Sequence, residues 1–426
     1  MNLIIASCIV LLFILLALGI PFYVAFLASS MPILFWVAGQ GPLSLASLGT
    51  NSIQGFTLIA IPLFILLGNI MAVSGATTSL FEVARAFIGR LPGGLGMATI
   101  VACAMFGTMC GSGVATALAI GSIAVPELVK NGYSRESAAA ICGCAGGLGM
   151  IIPPSIAFVI LGDVLSVSVG DLFIAGIVPG VICTAFLCVA CYILVRSKVR
   201  RGEIKLDRVY SWREKRKTLV AALPLVAIPV VILYTLWRGV ATPTEVAGVS
   251  CVVATLLARF YFHKFGRKEI QTAFSDTVQS AAPVFCIIVG SVTFGRALAY
   301  MFIPQKLGAL AGSMGLGLNA FKLVIFGIFG ILGMFLDGFI LWLVCLPPLV
   351  PSFALYPTMD LVYFGVLFQF MVMLGALTPP TAIQLYSAAT GAKAEIAGTL
   401  RESPLYMLAI AMSTLLLLFV PALVIY

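Results

Sequence analysis

Charge is what this sequence has least of. Only 9% of its 426 residues are charged and 62% are hydrophobic, where a soluble domain is about half apolar and one-quarter charged. A soluble fold this apolar would expose large patches and aggregate, so the natural solvent is a lipid bilayer. Histidine is nearly absent as well: His263 is the single one, and it falls in a basic stretch, which excludes a serine–histidine hydrolase inside the membrane. An aspartyl protease is excluded too, because neither Asp163 nor Asp337 stands in a Gly-x-Gly-Asp context. Of the eleven cysteines, Cys188 and Cys191 alone have Cys-x-x-Cys spacing, and they stand within an apolar run. Scattered through apolar runs, as Cys103, Cys183 and Cys251 are, they read as small buried hydrophobes and imply no metal cluster. The expectation is a protein that is not an enzyme.

The little charge present is uneven. The formal net charge is +9, and ten of the 24 basic residues lie in 196–217, together with Glu203, Asp207 and Glu214. This stretch sits between two apolar runs. The positive-inside rule makes it a cytoplasmic loop, and no nucleic-acid partner is implied. Arg259, His263, Lys264, Arg267 and Lys268 form a second cluster for the same side. The N-terminus opens apolar without a basic leader or cleavage site, so 3–20 reads as a retained span. At about 20 residues per span, the apolar stretches could supply roughly ten to twelve crossings.

Two apolar segments are interrupted. In 137–168, Gly146, Gly147 and Gly149 lead into Pro153 and Pro154; in 360–390, Gly375 leads through Thr378 into Pro379, Pro380 and Thr381. Each proline removes a backbone donor and disfavours helix in the residue before it, so both helices should break. Broken backbone at membrane depth is tolerated only inside protein or beside a wet cavity. From Ser112 to Pro154 is 42 residues, and from Gly338 to Pro380 is again 42. Ser112 and Gly338 each belong to a polar, glycine-containing element within an apolar stretch of about 37 residues (94–130 and 320–356). That length is short for two full crossings and suits a re-entrant helical hairpin.

Counting crossings from the cytoplasmic loop makes the first hairpin open inward and the second outward, the layout of inverted repeats in secondary transporters. The expected fold is therefore an all-α polytopic membrane protein with two inverted repeats, each a re-entrant hairpin plus a proline-broken helix. The expected division is 1–75 scaffold, 76–170 transport repeat 1, 171–280 scaffold, 281–403 transport repeat 2 and 404–426 a C-terminal helix.

A broken helix offers unpaired carbonyls at one half-helix end and unpaired N–H groups at the other. Carbonyls suit a dehydrated Na⁺, and N–H groups at a positive dipole end suit a carboxylate or sulfonate. Hydroxyls of Ser112, Thr116 and Ser155 lie near the first break; Thr378, Thr381 and Asp337 add oxygens near the second. Asp337 reads either as a functional intramembrane carboxylate or as a helix cap. Arg296 reads as a substrate contact or as a snorkelling side chain. Glu245, after Thr242, reads as a first-turn acid. A channel remains a rival, although inverted repeats with broken helices favour a carrier.

Taken together, certain runs resemble one family. They are Gly111-Ser112-Gly113, Ala124-Val125-Pro126-Glu127, Asn131-Gly132-Tyr133, Ile152-Pro153-Pro154-Ser155, Thr242-Pro243-Thr244-Glu245, Leu336-Asp337-Gly338 and Leu377-Thr378-Pro379-Pro380. In order and spacing, across essentially the whole chain, they resemble the large membrane subunit of tripartite ATP-independent periplasmic (TRAP) transporters. The resemblance implies an elevator-type, Na⁺-driven importer of small organic anions in the bacterial inner membrane. It implies two partners, a small membrane subunit and a periplasmic substrate-binding protein. It places Na⁺ near Ser112, Gly149 and Pro153 and near Gly338, Gly375, Thr378 and Thr381, with Asp337 a further candidate; Thr116, Ser155 and Arg296 are the substrate candidates. Many members carry Asp in the first hairpin where this chain has Thr116 or its neighbour. A standalone Na⁺/carboxylate carrier of the same architecture is the alternative. Apolar and aromatic residues of the first spans, Phe22, Phe26, Phe35 and Trp36, are the expected contact for the small subunit.

Overall fold

A computed structural model describes residues 2–426, which among themselves form helices and no strand. The two interrupted stretches fold as their glycines and prolines dictate. Gly94–Cys110 and Gly113–Lys130 are the arms of the first hairpin. Between them Gly111 takes φ 62° and Ser112 caps the second arm, accepting from the Ala115 N–H at 3.5 Å. A side chain at Gly111 would be strained at that φ and would press on the Ile156 N–H and the Pro154 carbonyl, both 3.1 Å from its Cβ position. The first broken helix runs Arg135–Gly146, unwinds through a 3₁₀ turn and Pro153–Pro154, and resumes as Ile156–Leu165.

The second repeat copies this plan. Leu318–Gly333 leads to Asp337, which caps a tighter second arm made of Gly338–Ile340, a π turn Leu341–Cys345 and a 3₁₀ stretch Pro347–Leu355. Leu361–Leu377 and Ile383–Ala392 are the halves of its broken helix. Close backbone approaches repeat with it. A Cβ on Gly107 would stand 2.7 Å from the Gly149 Cα, and one on Gly375 would stand 2.6 Å from the Gly333 Cα. Both pairs are 42 residues apart, and an offset of 226 carries one onto the other. The same offset carries the amphipathic Ala76–Ile88 onto Ile303–Ser313 to within a residue at each end.

The repeats interlock in opposite senses. Arg135–Gly146 packs on Ile383–Ala392, while Ile156–Leu165 packs on Leu361–Leu377. The first half of each broken helix thus meets the second half of the other, and the breaks face each other. Scaffold packing joins Phe22–Pro32, Pro42–Ser52 and Ala60–Ser74 to the 34-residue Arg267–Tyr300, and Ala60–Ser74 also to Pro243–Leu256.

Several boundaries depart from expectation. Val169–Arg200 packs on Gly94–Cys110, Ile156–Leu165, Leu361–Leu377 and Pro404–Phe419, so it groups with the hairpins rather than with the scaffold, and the C-terminal helix goes with it. The loop expected over 196–217 is shorter, because helices extend into both ends; Ser211 and Glu214 form a capping box that starts Trp212–Trp237. Among the described residues, six helices are long and apolar enough to cross a membrane alone, or up to eight if each bent pair is one span. That is fewer than the ten to twelve expected, because hairpin arms and broken halves divide apolar length into pieces too short to cross. Glu245 sits in a capping box, its carboxylate accepting from the Thr242 N–H at 2.7 Å.

On the face carrying the basic loop, Arg85 of Ala76–Ile88 is a hub. Its guanidinium holds Asp207 through two bonds of 2.7 and 3.0 Å and reaches Glu127 of the hairpin at 3.2 Å and Glu82 at 3.4 Å.

Candidate functional site

A cavity of about 180 Å³ lies where the two hairpin tips meet the scaffold. By the same measure one water needs about 10–15 Å³, so the space suits a small organic molecule. The first hairpin contributes Gly111, Ser112 and Gly113, the second Asp337, Gly338 and Trp342; the broken helices contribute Met150, Ala376 and Gln384. Asn69 and Ser280 close it from scaffold helices. The folding of these segments puts the groups together: the first tip turns on Gly111 at φ 62°, the second turns ahead of the Asp337 cap, and each turn starts a helix whose first N–H groups lack intrahelical partners.

Asp337 is a helix cap, one of its two readings. It caps its arm, accepting from the Phe339 N–H at 3.4 Å, and it lines the cavity. Ser112 and Gly338 also line it, whereas Gly149, Gly375, Thr378 and Thr381 lie behind the walls, at the hairpin–break contacts. Pro153 faces a different, apolar cleft of about 200 Å³ beside Met109, Val226 and Pro229.

The three side chains expected to touch substrate do not line the cavity. Thr116 is buried behind the tip, donating to the Ser112 carbonyl at 2.8 Å and 2.9 Å from the Cys110 Sγ. Ser155 is buried and donates to the Met150 carbonyl at 2.6 Å, satisfying an oxygen freed by the break. Arg296 is exposed, its guanidinium over the Tyr300 ring. The helix is long enough for that side chain to leave the interior, as snorkelling requires.

Sequence reasoning missed Gln384, Trp342 and Asn69. Gln384 and Trp342 are 2% and 3% exposed, and the Gln384 Oε1 and Trp342 Nε1 have no hydrogen-bond partner. Asn69 donates to Thr277 at 3.0 Å. The available signal was a lone amide within an apolar run.

For a cation the relevant groups are oxygens. Among the described residues no cluster of three His, Cys, Asp or Glu side chains forms, so a bound ion would meet hydroxyls and carbonyls, a set suited to hard cations. Repeat 2 fits this well. The Thr381 Oγ1 is buried without a partner, its N–H is committed to the Met334 carbonyl at 3.1 Å, and Gly375 and Gly333 bring two backbones into contact beside it. In repeat 1 the Ser112 carbonyl is already shared by the Thr116 N–H and hydroxyl.

Comparison with known proteins agrees with this architecture. The family described as "Tripartite ATP-independent periplasmic transporter, DctM component" matches residues 9–423. A C4-dicarboxylate TRAP transporter large permease protein of Vibrio cholerae is 32% identical over 88% of this chain and 86% of its own length. The sialic acid TRAP large permease protein of the same organism is 32% identical over 79% of this chain and 78% of its own. An ectoine/5-hydroxyectoine TRAP large permease protein of Ruegeria pomeroyi is 30% identical over 88% and 86%. Among solved structures, the Alcanivorax borkumensis YdaH transporter superposes with a TM-score of 0.61 over 90% of this chain and 89% of its own, at 15% identity, a likeness of fold alone. This all-helical, multi-pass membrane chain belongs to the DctM family, the large permease components of TRAP transporters.

Proposed function

We propose that the chain imports a small organic anion, a carboxylate, sugar acid or sulfonate, across the bacterial inner membrane, driven by Na⁺. A periplasmic binding protein delivers the substrate, and a small membrane subunit completes the permease. The observation that carries this reading is the meeting of two opposed hairpin–break units around one cavity at the scaffold boundary, the arrangement in which alternating access works by moving one body against the other. The hairpin body would carry the cavity past the scaffold in an elevator movement. Na⁺ would be held near Thr381, Thr378 and Gly375 in one repeat and near Ser112 and Gly149 in the other, neutralising carbonyl ends beside the cavity.

For the small subunit, Trp36 is 78% exposed and Phe22 and Phe35 are half-buried, whereas Phe26 is buried against Phe294, with ring centroids 5.1 Å apart. The test is uptake into proteoliposomes holding both membrane subunits, with the binding protein outside. Saturable uptake that follows an inward Na⁺ gradient is expected. Equal uptake in Na⁺-free buffer would end the coupling claim, uptake without the binding protein would favour a standalone carrier, and non-saturating flux would favour a channel.

A further inference from the structure

The start of Trp212–Trp237 concentrates charge that nothing in the chain answers. Arg213, Lys215, Arg216 and Lys217 fall in its first two turns, and among the described residues none has an ion-pair partner. The three acids of the same loop are committed elsewhere: Glu203 to Arg201, Asp207 to Arg85, and Glu214 to the Ser211 N–H and to Arg208. The positive-inside rule accounts for the side on which these cations lie, not for what they flank. At about 100° per residue, Lys215 and Arg216 border a sector that holds Leu219, Leu223, Val226 and Val230, whereas Arg213 and Lys217 lie outside it. Leu219, Leu223 and Val230 are exposed, and Trp212, exposed as well, stands at the head of the sector, as aromatics do at a membrane interface.

This stripe runs into the apolar cleft of about 200 Å³ beside Pro153. Val226, Pro229, Val230 and Leu233 form its wall on this helix; Met109 and Ile152 belong to the opposite wall, on the hairpin body. Thr108 is the single polar side chain among its lining residues, and its hydroxyl is spent on the Met105 carbonyl at 2.6 Å. The cleft therefore asks for hydrocarbon, and an apolar cavity of about 150 Å³ already takes a benzene ring. Distance links the two ends. Val226 stands 11 residues beyond Lys215, about 17 Å at 1.5 Å per residue. Half of a bilayer is about 20 Å from headgroup to midplane, so a tail anchored at the level of Lys215 ends in the cleft. The Lys215 Nζ lies 5.6 Å from the ring centroid of Phe87 on Ala76–Ile88, a helix that Trp212–Trp237 packs against. A cation on a ring keeps donors for a phosphate.

We infer that this groove binds one anionic phospholipid of the cytoplasmic leaflet. Its phosphate lies between Lys215 and Arg216, at the positive end of the helix. One acyl chain follows Leu219 and Leu223 into the cleft, between Trp212–Trp237 and the hairpin body.

Native mass spectrometry of the delipidated permease, this chain with its small subunit, tests this with dioleoyl phosphatidylglycerol and dioleoyl phosphatidylcholine as probes. Phosphatidylglycerol should bind about tenfold more tightly. Lys215→Ala with Arg216→Ala should abolish that preference, since each basic residue near the surface adds to the attraction. Arg213→Ala with Lys217→Ala removes the same charge from outside the sector and should leave it. Val226→Phe fills the cleft, and Val230→Trp closes its exposed rim without entering the core. Each should weaken both lipids severalfold, with an unchanged melting temperature before lipid is added for the rim variant.

Equal binding of the two lipids would overturn the inference. So would an equal loss in the two charge-pair variants, which would mean diffuse attraction to a basic face. Undisturbed binding in both Val226→Phe and Val230→Trp would place the tails elsewhere, and displacement of phosphatidylglycerol by millimolar sn-glycerol 3-phosphate would make the site one for a soluble phosphate; either result excludes a lipid held by this cleft. None of these readouts requires transport, so they stand apart from the function proposed above.

Discussion

Thr378 and Thr381 flank the same pair of prolines, yet their hydroxyls are differently committed. The Thr378 Oγ1 donates back to the Leu374 carbonyl at 2.7 Å, whereas the Thr381 Oγ1 is buried with no partner. An unpaired buried hydroxyl is costly, and a cation beside it removes the cost. Thr381→Val should therefore reduce apparent Na⁺ affinity about tenfold, the ~1–2 kcal/mol of a lost polar contact in a membrane protein, and Thr381→Ser should retain it. Thr378→Val should have the smaller effect. Initial uptake measured against Na⁺ concentration distinguishes them, and identical curves for all three variants would remove Thr381 from the ion site. Sequence reasoning could name both threonines because prolines mark the break. It could not rank them, because the ranking depends on which carbonyl each hydroxyl meets after the turn is made. Gln384 and Trp342 were illegible for the same reason.

Element by element, the punctuation was legible where a backbone rule forces it. Gly111, Asp337 and the two proline pairs each interrupt an apolar run, and each becomes a turn or break. Pro42–Ser52 was not anticipated, and neither was the full length of Arg267–Tyr300; their boundaries come from packing on neighbours rather than from composition. The glycine contacts give a test of how tightly hairpin and broken helix are joined. Gly375→Ala would drive a methyl against the Gly333 backbone, and Gly107→Ala would do the same to Gly149. Each should lower stability by about 1–3 kcal/mol, read as a lower melting temperature in detergent. Gly327→Ala, in the same hairpin arm as Gly333 but with nothing within 4 Å of its Cβ position, should be neutral or slightly stabilising. Equal melting of all three variants would mean that the contacts yield freely.

The basic loop is fastened to Ala76–Ile88 as well as to the Asn131 carbonyl. Burial alone would push the Asp207 carboxyl up, but its bonds to the Arg85 guanidinium outweigh that and hold it below the usual carboxylate range. A carboxyl depressed in the fold contributes stability above its unfolded pKa of about 3.9, and the contribution is lost as pH falls below that value. The loop should therefore resist protease at neutral pH and open to an acid-tolerant protease below about pH 4. Arg85→Ala should open it at pH 7, because the substitution leaves Asp207, whose side chain is 5% exposed, without its partner, at about 3 kcal/mol. Protection in the variant equal to wild type would show that the loop is held by other contacts.

For the molecule as a whole, the decisive question is whether the hairpin body leaves the scaffold. They approach closely at Gly68 of Ala60–Ser74, where a Cβ would stand 2.4 Å from the Cys110 Cβ and 2.7 Å from its Cα at the first hairpin tip. Neither group could yield without moving its helix. A methyl there leaves each body internally unchanged and penalises only the arrangement in which they touch, so it biases any pre-existing equilibrium towards the separated state. Cys110 is 3% exposed in this arrangement. If the hairpin body slides, Gly68→Ala should raise the rate of Cys110 alkylation severalfold, measured by peptide mass spectrometry on native membranes, while the melting temperature falls little. If the bodies are fixed together, the methyl has nowhere to go. The melting temperature would then drop with Cys110 still protected, and the elevator movement would be excluded.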